Sequence, residues 1–311
     1  MKKILIFLIL LPVLILSGCF MGLIHEDLPI ENLPQVDPNG GAMRMVHAKL
    51  YYMLDNEELL IPLDSTIKIN GNERTEYAII RALIEGCDNI YAENCFLPGT
   101  RVIDVTESGS IFYVTMSKEM IETDQSSSGY SSLAKRMRLY SIVNSICDYN
   151  KDSRVQILVD ADGSGDGERF PLSVLGFSGQ DNLIEPRTFQ NDIIASPPTV
   201  ILAFLQHMVH FDYVAAYNLL SDVEMSGLQK PSYTKFLNSV HAIGTIANYS
   251  VLSTNISKNG LTADIRIIVT IIDNNGISKD MTINLSMMAH IGVYKLNYSS
   301  WEKAFLWGEE R

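Results

Sequence analysis

The spacing of apolar and polar residues divides the chain into a leader, a tether and two folded regions. Residues 4–16 form an almost unbroken apolar run that follows Lys2 and Lys3. This run is too short to remain as a membrane-spanning helix, which needs about 20 apolar residues. Residues 19–44 contain several prolines and glycines and show no sustained periodicity, which predicts a flexible tether.

Helix-type and strand-type patterns are mixed in residues 45–182. Apolar residues recur at helical spacing over 73–85 and 133–146, and we expect Asn72 to cap the first of these helices and Gly86 to follow it. The strand-type segments are 46–54, 59–63, 101–106, 111–116 and 155–159. This mixture predicts an α+β domain with one small mixed sheet and two helices on one of its faces.

Residues 183–197 lead into Ser196-Pro197-Pro198 and predict a linker into a second domain, residues 198–311. In this domain the helix-type segments come first, at 199–210, 212–220 and 233–240, and the strand-type segments follow, at 245–256, 261–273, 277–289 and 293–298. Two Asn-Gly pairs between strands predict hairpin turns. We therefore expect a second α+β domain, with an antiparallel sheet curved around helices, that folds independently of the first.

The net charge of the chain disfavours some classes of binding partner. The 311 residues carry a formal net charge of −12, and loss of the leader removes two further positive charges. A strongly acidic protein is a poor candidate for binding nucleic acid or anionic lipid headgroups.

The end of the apolar run carries a candidate modification site. Leu16-Ser17-Gly18-Cys19 resembles the bacterial lipobox, in which a lipid is attached to the cysteine thiol and the leader is cleaved just before it. The resemblance implies a signal peptide over residues 1–18 and a lipid anchor at Cys19 on the extracytoplasmic face of the cell membrane. The alternative is an ordinary signal peptide with a chance cysteine.

Three cysteines remain beyond Cys19. Outside the cytoplasm a disulfide is permitted, and a Cys87–Cys95 bond would close a short loop. Because three is an odd number, at least one thiol stays free. No CxxC spacing of the metal-binding type is present.

Four ordered segments of the first domain carry a family resemblance: Thr75–Gly86, Phe96–Val102, Leu139–Ser145 and Val155–Asp160. Together they resemble the sporulation and spore-germination domain of the GerM type. The resemblance implies a ring-building-like fold that packs against neighbouring copies, with no catalytic residues, since the matching motifs are turns and core positions.

The start of the second domain is similar to NTF2-like lipoprotein modules, through Ala203–Leu205 and Phe211–Ser221. That resemblance implies a cystatin-like α+β cone, which can enclose a small ligand. Whether the cone is filled by its own side chains separates a scaffold from a ligand binder.

Other candidate sites have simpler interpretations. Residues 160–168 resemble the start of an EF-hand loop, but Pro171 stands where the bidentate Glu should be, which favours a solvated loop without metal. His207 and His210 can share a helix face, yet no third ligand or base accompanies them, so we expect surface or half-buried residues. Ser126–Ser128 lack the nucleophile elbow and an identifiable base.

Four large aromatic residues are candidates either for interface anchors or for core packing: Tyr51, Tyr52, Trp301 and Trp307. Core packing is favoured, because tryptophan is largely buried on average.

The sequence as a whole favours a non-enzymatic, lipid-anchored envelope protein, acting as an assembly or binding scaffold in sporulation or germination. We expect no cofactor, no nucleic-acid partner, and contact with envelope or sporulation proteins or with further copies of the chain. The alternatives are a small-ligand-binding lipoprotein and a cell-wall hydrolase or its accessory.

Overall fold

The computed structural model describes residues 43–307 except residues 56, 124–130, 178 and 180. The predicted leader, Cys19, nearly all of the tether and the Ser126–Ser128 loop lie outside the described residues.

The first domain has the predicted mixture of helices and strands. Its elements are β1 (Arg44–Leu54), β2 (Leu60–Ile69), α1 (Thr75–Glu85), β3 (Ala92–Glu93), β4 (Val102–Ser108), β5 (Ile111–Ser117), α2 (Ser131–Tyr149) and β6 (Arg154–Asp160). The α+β class is confirmed. Helix α1 is preceded by Arg74, without a side-chain cap, so the expected cap by Asn72 is wrong. Gly86 follows the helix as predicted, with φ at +88°.

The six strands of this domain form two small sheets, so the prediction of a single sheet is wrong. One sheet has the order β2-β1-β3, and the other has the order β4-β5-β6 with β5 and β6 parallel. Helix α2 contacts β1 of the first sheet and β6 of the second. Seven consecutive residues of this helix, Ser141–Cys147, are buried. A helix buried on all sides needs cover on opposite faces, which a single sheet cannot provide.

The segment predicted as a linker is hydrogen-bonded to the first domain. The backbone of Leu60 accepts from Ala195 and donates to Ile193, at 2.8 and 2.7 Å. Arg187 exchanges two backbone bonds of 2.8 Å with Val155 of β6. This segment therefore follows the surface of the first domain before the chain enters the second one.

The second domain has helices first and an antiparallel sheet afterwards, as predicted. Its elements are α3 (Pro197–Val209), α4 (Tyr213–Asn218), α5 (Tyr233–Ile243), β7 (Thr245–Ile256), β8 (Thr262–Ile272), β9 (Ser278–His290), β10 (Val293–Leu296) and α6 (Tyr298–Glu302). The sheet order is β10-β9-β8-β7. Helix α3 begins with a capping box between Ser196 and Thr199.

Aromatic side chains fill the space between the helices and the sheet of the second domain. Trp301 is fully buried, and its ring centre lies 5.5 Å from that of Phe236, 6.4 Å from Phe204 and 5.7 Å from Phe305. Burying one such side chain contributes about 1.5–3 kcal/mol to stability. The space between these helices and the sheet, which is the interior of the expected cone, is thus occupied by the protein's own side chains.

Core packing is confirmed for three of the four aromatic candidates. Tyr51, Tyr52 and Trp301 are all buried, and Tyr51 meets Phe189 edge to face at 5.6 Å. The side chain of Trp307 lies outside the described residues. Among the helices that the structure describes, none is both long and apolar enough to cross a membrane.

Candidate functional site: the junction between the two domains

The turn between β1 and β2 brings a buried carboxylate to the second domain. Glu57 is only 5% exposed, and its two oxygens lie 2.9 and 3.0 Å from Nε2 of His207 on α3. A second carboxylate, that of Asp212, lies 3.8 Å from Nδ1 of the same imidazole. One histidine of the second domain is therefore held between an acid of each domain.

These acids control the protonation of His207. Burial lowers the pKa of His207, but the hydrogen bond and charge of Glu57, with the charge of Asp212, raise it above its ordinary value. The imidazolium is favoured, and below that raised pKa the contact is an ion pair.

A second polar cluster of the junction centres on Tyr91, which precedes β3. Its hydroxyl donates to Asp222 at 3.0 Å and lies 3.0 Å from Nδ1 of His290. The ammonium of Lys295 sits 4.2 Å from the centre of the Tyr91 ring and donates to the carbonyl of Asn218 at 2.7 Å. A phenol from the first domain thus contacts a carboxylate, an imidazole and an ammonium of the second domain.

The pKa shifts in this cluster follow from burial and from these contacts. Burial and then the hydrogen bond and charge of Asp222 raise the pKa of Tyr91 to about 12. Burial also raises the pKa of Asp222, but the Tyr91 bond and the cations Lys230 and Lys295 bring it below its ordinary value. The phenol therefore stays protonated as a donor, and the carboxylate stays ionised as its acceptor.

Lys295 connects the two clusters electrostatically. Burial and the charge of Lys230 lower the pKa of Lys295, against the opposing charges of Asp222, Asp55 and Glu57. Glu57 therefore acts on both His207 and Lys295. The junction is one network of titratable groups rather than two separate contacts.

A groove of about 450 Å³ lies beside the Glu57–His207 contact and is lined by both domains. Two charged pairs lie at its walls: Arg136 holds Glu58 at 2.8 Å, and His207 holds Glu57. The arrangement is suited to fixing the orientation of two domains, because Glu57 and Tyr91 of the first domain meet partners of opposite charge or matching hydrogen-bonding character in the second.

Comparison with known proteins identifies the first of these domains. Residues 49–162 match the family Germane, described as sporulation and spore germination. Over these residues the first domain is similar to the Germane family, and we refer to it as the Germane domain. The match ends before α3, so it leaves the second domain outside. A comparison with curated proteins found no match.

Among solved structures, similarity is found to the tandem GerMN domains of the sporulation protein GerM from Bacillus subtilis. The identity is 15% and the TM-score 0.30, over 50% of this chain and 46% of that chain. This chain thus spans less than half the length of that structure.

Two further structures are similar at lower TM-scores. A protein from Clostridium perfringens assigned as a lipoprotein is 20% identical, with a TM-score of 0.24, over 38% of this chain and 75% of its own. One from Campylobacter jejuni assigned as an NTF2-like transpeptidase is 15% identical, with a TM-score of 0.21, over 33% of this chain and 98% of its own. Similarity at these levels carries no functional conclusion.

The two candidate histidines, His207 and His210, lie in different environments. His207 is half-buried in the junction, as predicted, but its partner Glu57 was missed because it lies 150 residues away in a turn. His210 is exposed, and its Nδ1 lies 2.8 Å from the carbonyl of Gln206. Within the described residues, no group of three or more His, Cys, Asp or Glu side chains is arranged to hold a metal ion.

The acidic loop after β6 uses its carboxylates internally. The two oxygens of Asp160 accept from the backbone N–H groups of Gly163 and Gly165, at 2.7 and 3.1 Å. Asp162 accepts from the N–H of Ser164 at 3.0 Å. These hydrogen bonds between Asp side chains and nearby N–H groups stabilise turns within the loop itself.

The predicted Cys87–Cys95 disulfide is not formed in the structure, where Cys87, Cys95 and Cys147 are free thiols. Cys87 is exposed just beyond α1, whereas Cys95 is buried inside the Germane domain. Burial raises the pKa of the Cys95 thiol to about 12, despite the nearby Arg138 guanidinium. The two cysteines, although only eight positions apart, therefore lie in different environments, one exposed and one buried.

Proposed function

We propose that this protein is a lipid-anchored envelope scaffold of sporulation or spore germination, which acts by binding other proteins rather than by catalysis. The observation that carries the proposal is the Germane domain at residues 49–162. Its family is described by a biological process, sporulation and spore germination, rather than by a reaction.

The junction supports a role in presenting surfaces. Polar networks that span both domains, through Glu57–His207 and Tyr91–Asp222, favour one orientation of the domains. A fixed orientation allows two surfaces to be offered to partners together, which strengthens binding through effective concentration.

Ligand binding inside the cone is not favoured. Trp301, Phe204 and Phe236 occupy the space in which a ligand of the second domain would lie. Binding at that place would require displacement of a fully buried tryptophan, whose loss from a core costs about 3–5 kcal/mol.

The anchor is proposed on the lipobox-like sequence that ends at Cys19. Two or more acyl chains give stable membrane attachment, whereas a single chain gives only marginal attachment. A tether of about 25 residues behaves as a coil with a span of roughly 25–30 Å, so the folded domains would stand clear of the bilayer surface.

The experiment is labelling with palmitate in the native bacterium, followed by membrane fractionation and crosslinking. Wild-type protein should incorporate label, sediment with membranes and crosslink to envelope proteins. The Cys19→Ala variant should lose all three properties, whereas the matched Cys87→Ala variant, which removes an exposed cysteine, should keep them. Unchanged labelling of Cys19→Ala would refute the anchor. Hydrolysis of peptidoglycan or of an ester by the purified protein would refute action by binding alone.

A further inference from the structure

Strand β7 forms one edge of the four-stranded sheet, and its outer side is open. Its neighbour on the inner side is β8. The hydrogen bond from Ser257 N–H to the Thr262 carbonyl, at 2.9 Å, sets the alternation along the pair. Because backbone groups of alternate residues point to opposite sides of a strand, those of Ser253 and Asn255, like those of Ser257, point towards β8. The backbone N–H and C=O groups of Thr254 and Ile256 point away from the sheet. Within the described chain, those outward groups meet no other segment.

This edge lacks the features that usually prevent strand addition. The twelve residues of β7 contain no charged residue and no proline. By contrast, edge strand β2 carries Pro62, Asp64 and Lys68, and edge strand β4 carries Asp104 and Glu107. Charges and prolines on edge strands block pairing with other chains. The edge strand β6 is partly covered by backbone bonds of Val155 with Arg187 and of Val159 with Glu168. Among the described edge strands of seven or more residues, β7 alone has neither such cover nor a charge or proline.

The second half of β7 is also exposed on both faces. All five residues from Leu252 to Ile256 are exposed, with Leu252 at 53% and Ile256 at 48%. A strand added at this edge would cover apolar surface as well as backbone groups. Both contributions favour binding.

A polar groove of about 530 Å³ adjoins the same edge. The register of the sheet places two rows of side chains on one face: Ser253, Arg266 and Asn284 in the first, and Asn255, Asp264 and Ser286 in the second. Lys303 borders these rows. No ion pair of Arg266 or Lys303 is formed within the described residues.

The charged side chains that line this groove are mainly positive, whereas the chain as a whole is negatively charged. Two cations face a single carboxylate, Asp264, in a protein with a net charge of −12. Guanidinium and ammonium groups that form no ion pair within the described part of the chain, beside an open edge, are complementary to carboxylate side chains. A second copy of β7 could not supply them, because the strand contains no acid.

We propose that the edge at Leu252–Ile256 binds an extended segment of a partner protein, which adds to the sheet as a further strand and directs acidic side chains towards Arg266 and Lys303. Main-chain bonds to Thr254 and Ile256 would supply affinity, and the two cations would select acidic sequences. This inference rests on the proposed function, since it names a partner class for a protein that acts by binding.

The test measures fluorescence anisotropy of two labelled peptides with the purified protein. One peptide is Thr-Val-Glu-Val-Glu-Val-Thr, whose alternation puts both glutamates on one face, and the other carries lysine in place of glutamate. The acidic peptide should bind about tenfold or more tightly than the basic one, since carboxylates form charge-assisted hydrogen bonds with the two cations and ammonium groups are repelled by them.

Variants separate the two parts of the surface. Thr254→Pro removes an N–H that faces the open edge and not β8, and should weaken binding about tenfold. Thr254→Val keeps that N–H and should bind like wild type. Arg266→Ala lies on the exposed face and should reduce the preference for glutamate, since only Lys303 then remains to select it. Circular dichroism confirms that each variant is folded, and Arg266→Ala tests the proposal even if the proline variant is not.

Equal binding of the two peptides by wild type, or unchanged binding by folded Thr254→Pro, would overturn the proposal. A concentration-dependent dimer in sedimentation velocity, lost in Thr254→Pro, would overturn it in favour of a second copy as occupant. If the peptide results are negative while Cys19→Ala still loses membrane attachment and crosslinks, this inference fails and the proposed function stands. If the peptides bind as expected but Cys19→Ala behaves as wild type, the proposed anchor fails instead.

Discussion

The carboxylate of Glu57 lies 2.9 Å from Nε2 of His207, and this contact joins a turn of the Germane domain to the first helix of the second domain. Glu57 is buried, and the His207 side chain is 23% exposed. The charged form of His207 is therefore stabilised by the Glu57 carboxylate, at a position where water screens the two groups only partly.

The first prediction concerns the pH dependence of this contact. Because the folded-state pKa of His207 is raised, its contribution to stability is fully present below the ordinary histidine value of about 6.5 and is lost as the pH rises through the raised value. We expect the wild-type protein to lose stability across this window. His207→Asn should remove that dependence and should cost about 2 kcal/mol at acidic pH.

Urea unfolding from about pH 5.5 to about pH 8.5 measures this effect. The control is His210→Asn, since His210 is exposed and faces only a backbone carbonyl. That variant should keep the wild-type dependence. An identical pH profile for wild type and His207→Asn would show that the pair does not couple protonation to folding.

The second prediction concerns the cysteines of the folded domains. Burial raises the thiol pKa of all three cysteines, but Cys87 is exposed to reagents, whereas Cys95 and Cys147 are buried. Iodoacetamide should modify Cys87 in the native protein and the other two thiols only after denaturation. Mass spectrometry of non-reduced peptides checks this, and a peptide linking Cys87 to Cys95 would contradict it.

The third prediction concerns a buried guanidinium in the Germane domain. Arg138 is 2% exposed and donates to the carbonyls of Cys95, Glu119, Met120 and Glu122, at 2.6 to 3.2 Å. Arg138→Met should destabilise the protein by at least about 3 kcal/mol, because buried carbonyls lose their donor.

The control for Arg138 is the neighbouring Arg136, which is partly exposed and bonds to a side chain instead of to buried carbonyls. Arg136 pairs with Glu58, whose side chain is half exposed, and Arg136→Met should cost about 1 kcal/mol or less. Thermal unfolding compares the two variants. Equal losses of stability would contradict the structural role assigned to Arg138.

The fourth prediction concerns backbone strain after α3. Phe211 has φ of +61°, and the N–H of the next residue, Asp212, bonds to the carbonyl of His207 at 2.9 Å, as in a helix ending normally made by glycine. Phe211→Gly should be more stable than Phe211→Ala by about 1 kcal/mol, since both lose the ring and only glycine relieves the strain. Equal urea midpoints of the two variants would argue against strain at this position.

The element order could be predicted from the sequence because periodicity and turn residues act locally. The four strands of the sheet in the second domain and both Asn-Gly turns follow directly from alternation and from residues that tolerate positive φ, such as Gly260 and Gly276. Helix α2 was also found, but its position between two sheets was not. Its buried Ser145 accepts from the backbone of Tyr51, 94 residues away, and local periodicity contains no such contact.

The junction could not be predicted for the same reason. Glu57 lies in a turn whose acidic residues indicate exposure, and only the docking of α3 buries it. Tyr91 likewise has no motif around it, although its hydroxyl meets residues 131 and 199 positions away. His207 could be singled out in the sequence, but its partner Glu57, and with it the raised pKa of the imidazole, could not be predicted.

The most direct measurement of the account is made in the native bacterium with the gene deleted and then restored. It scores the yield of heat-resistant spores and the rate of germination with a wild-type, Cys19→Ala or Cys87→Ala allele. The deletion should lower one of these quantities, and the wild-type and Cys87→Ala alleles should restore it while Cys19→Ala does not. Normal spore yield together with normal germination in the deletion strain would contradict a membrane-anchored role in sporulation or germination.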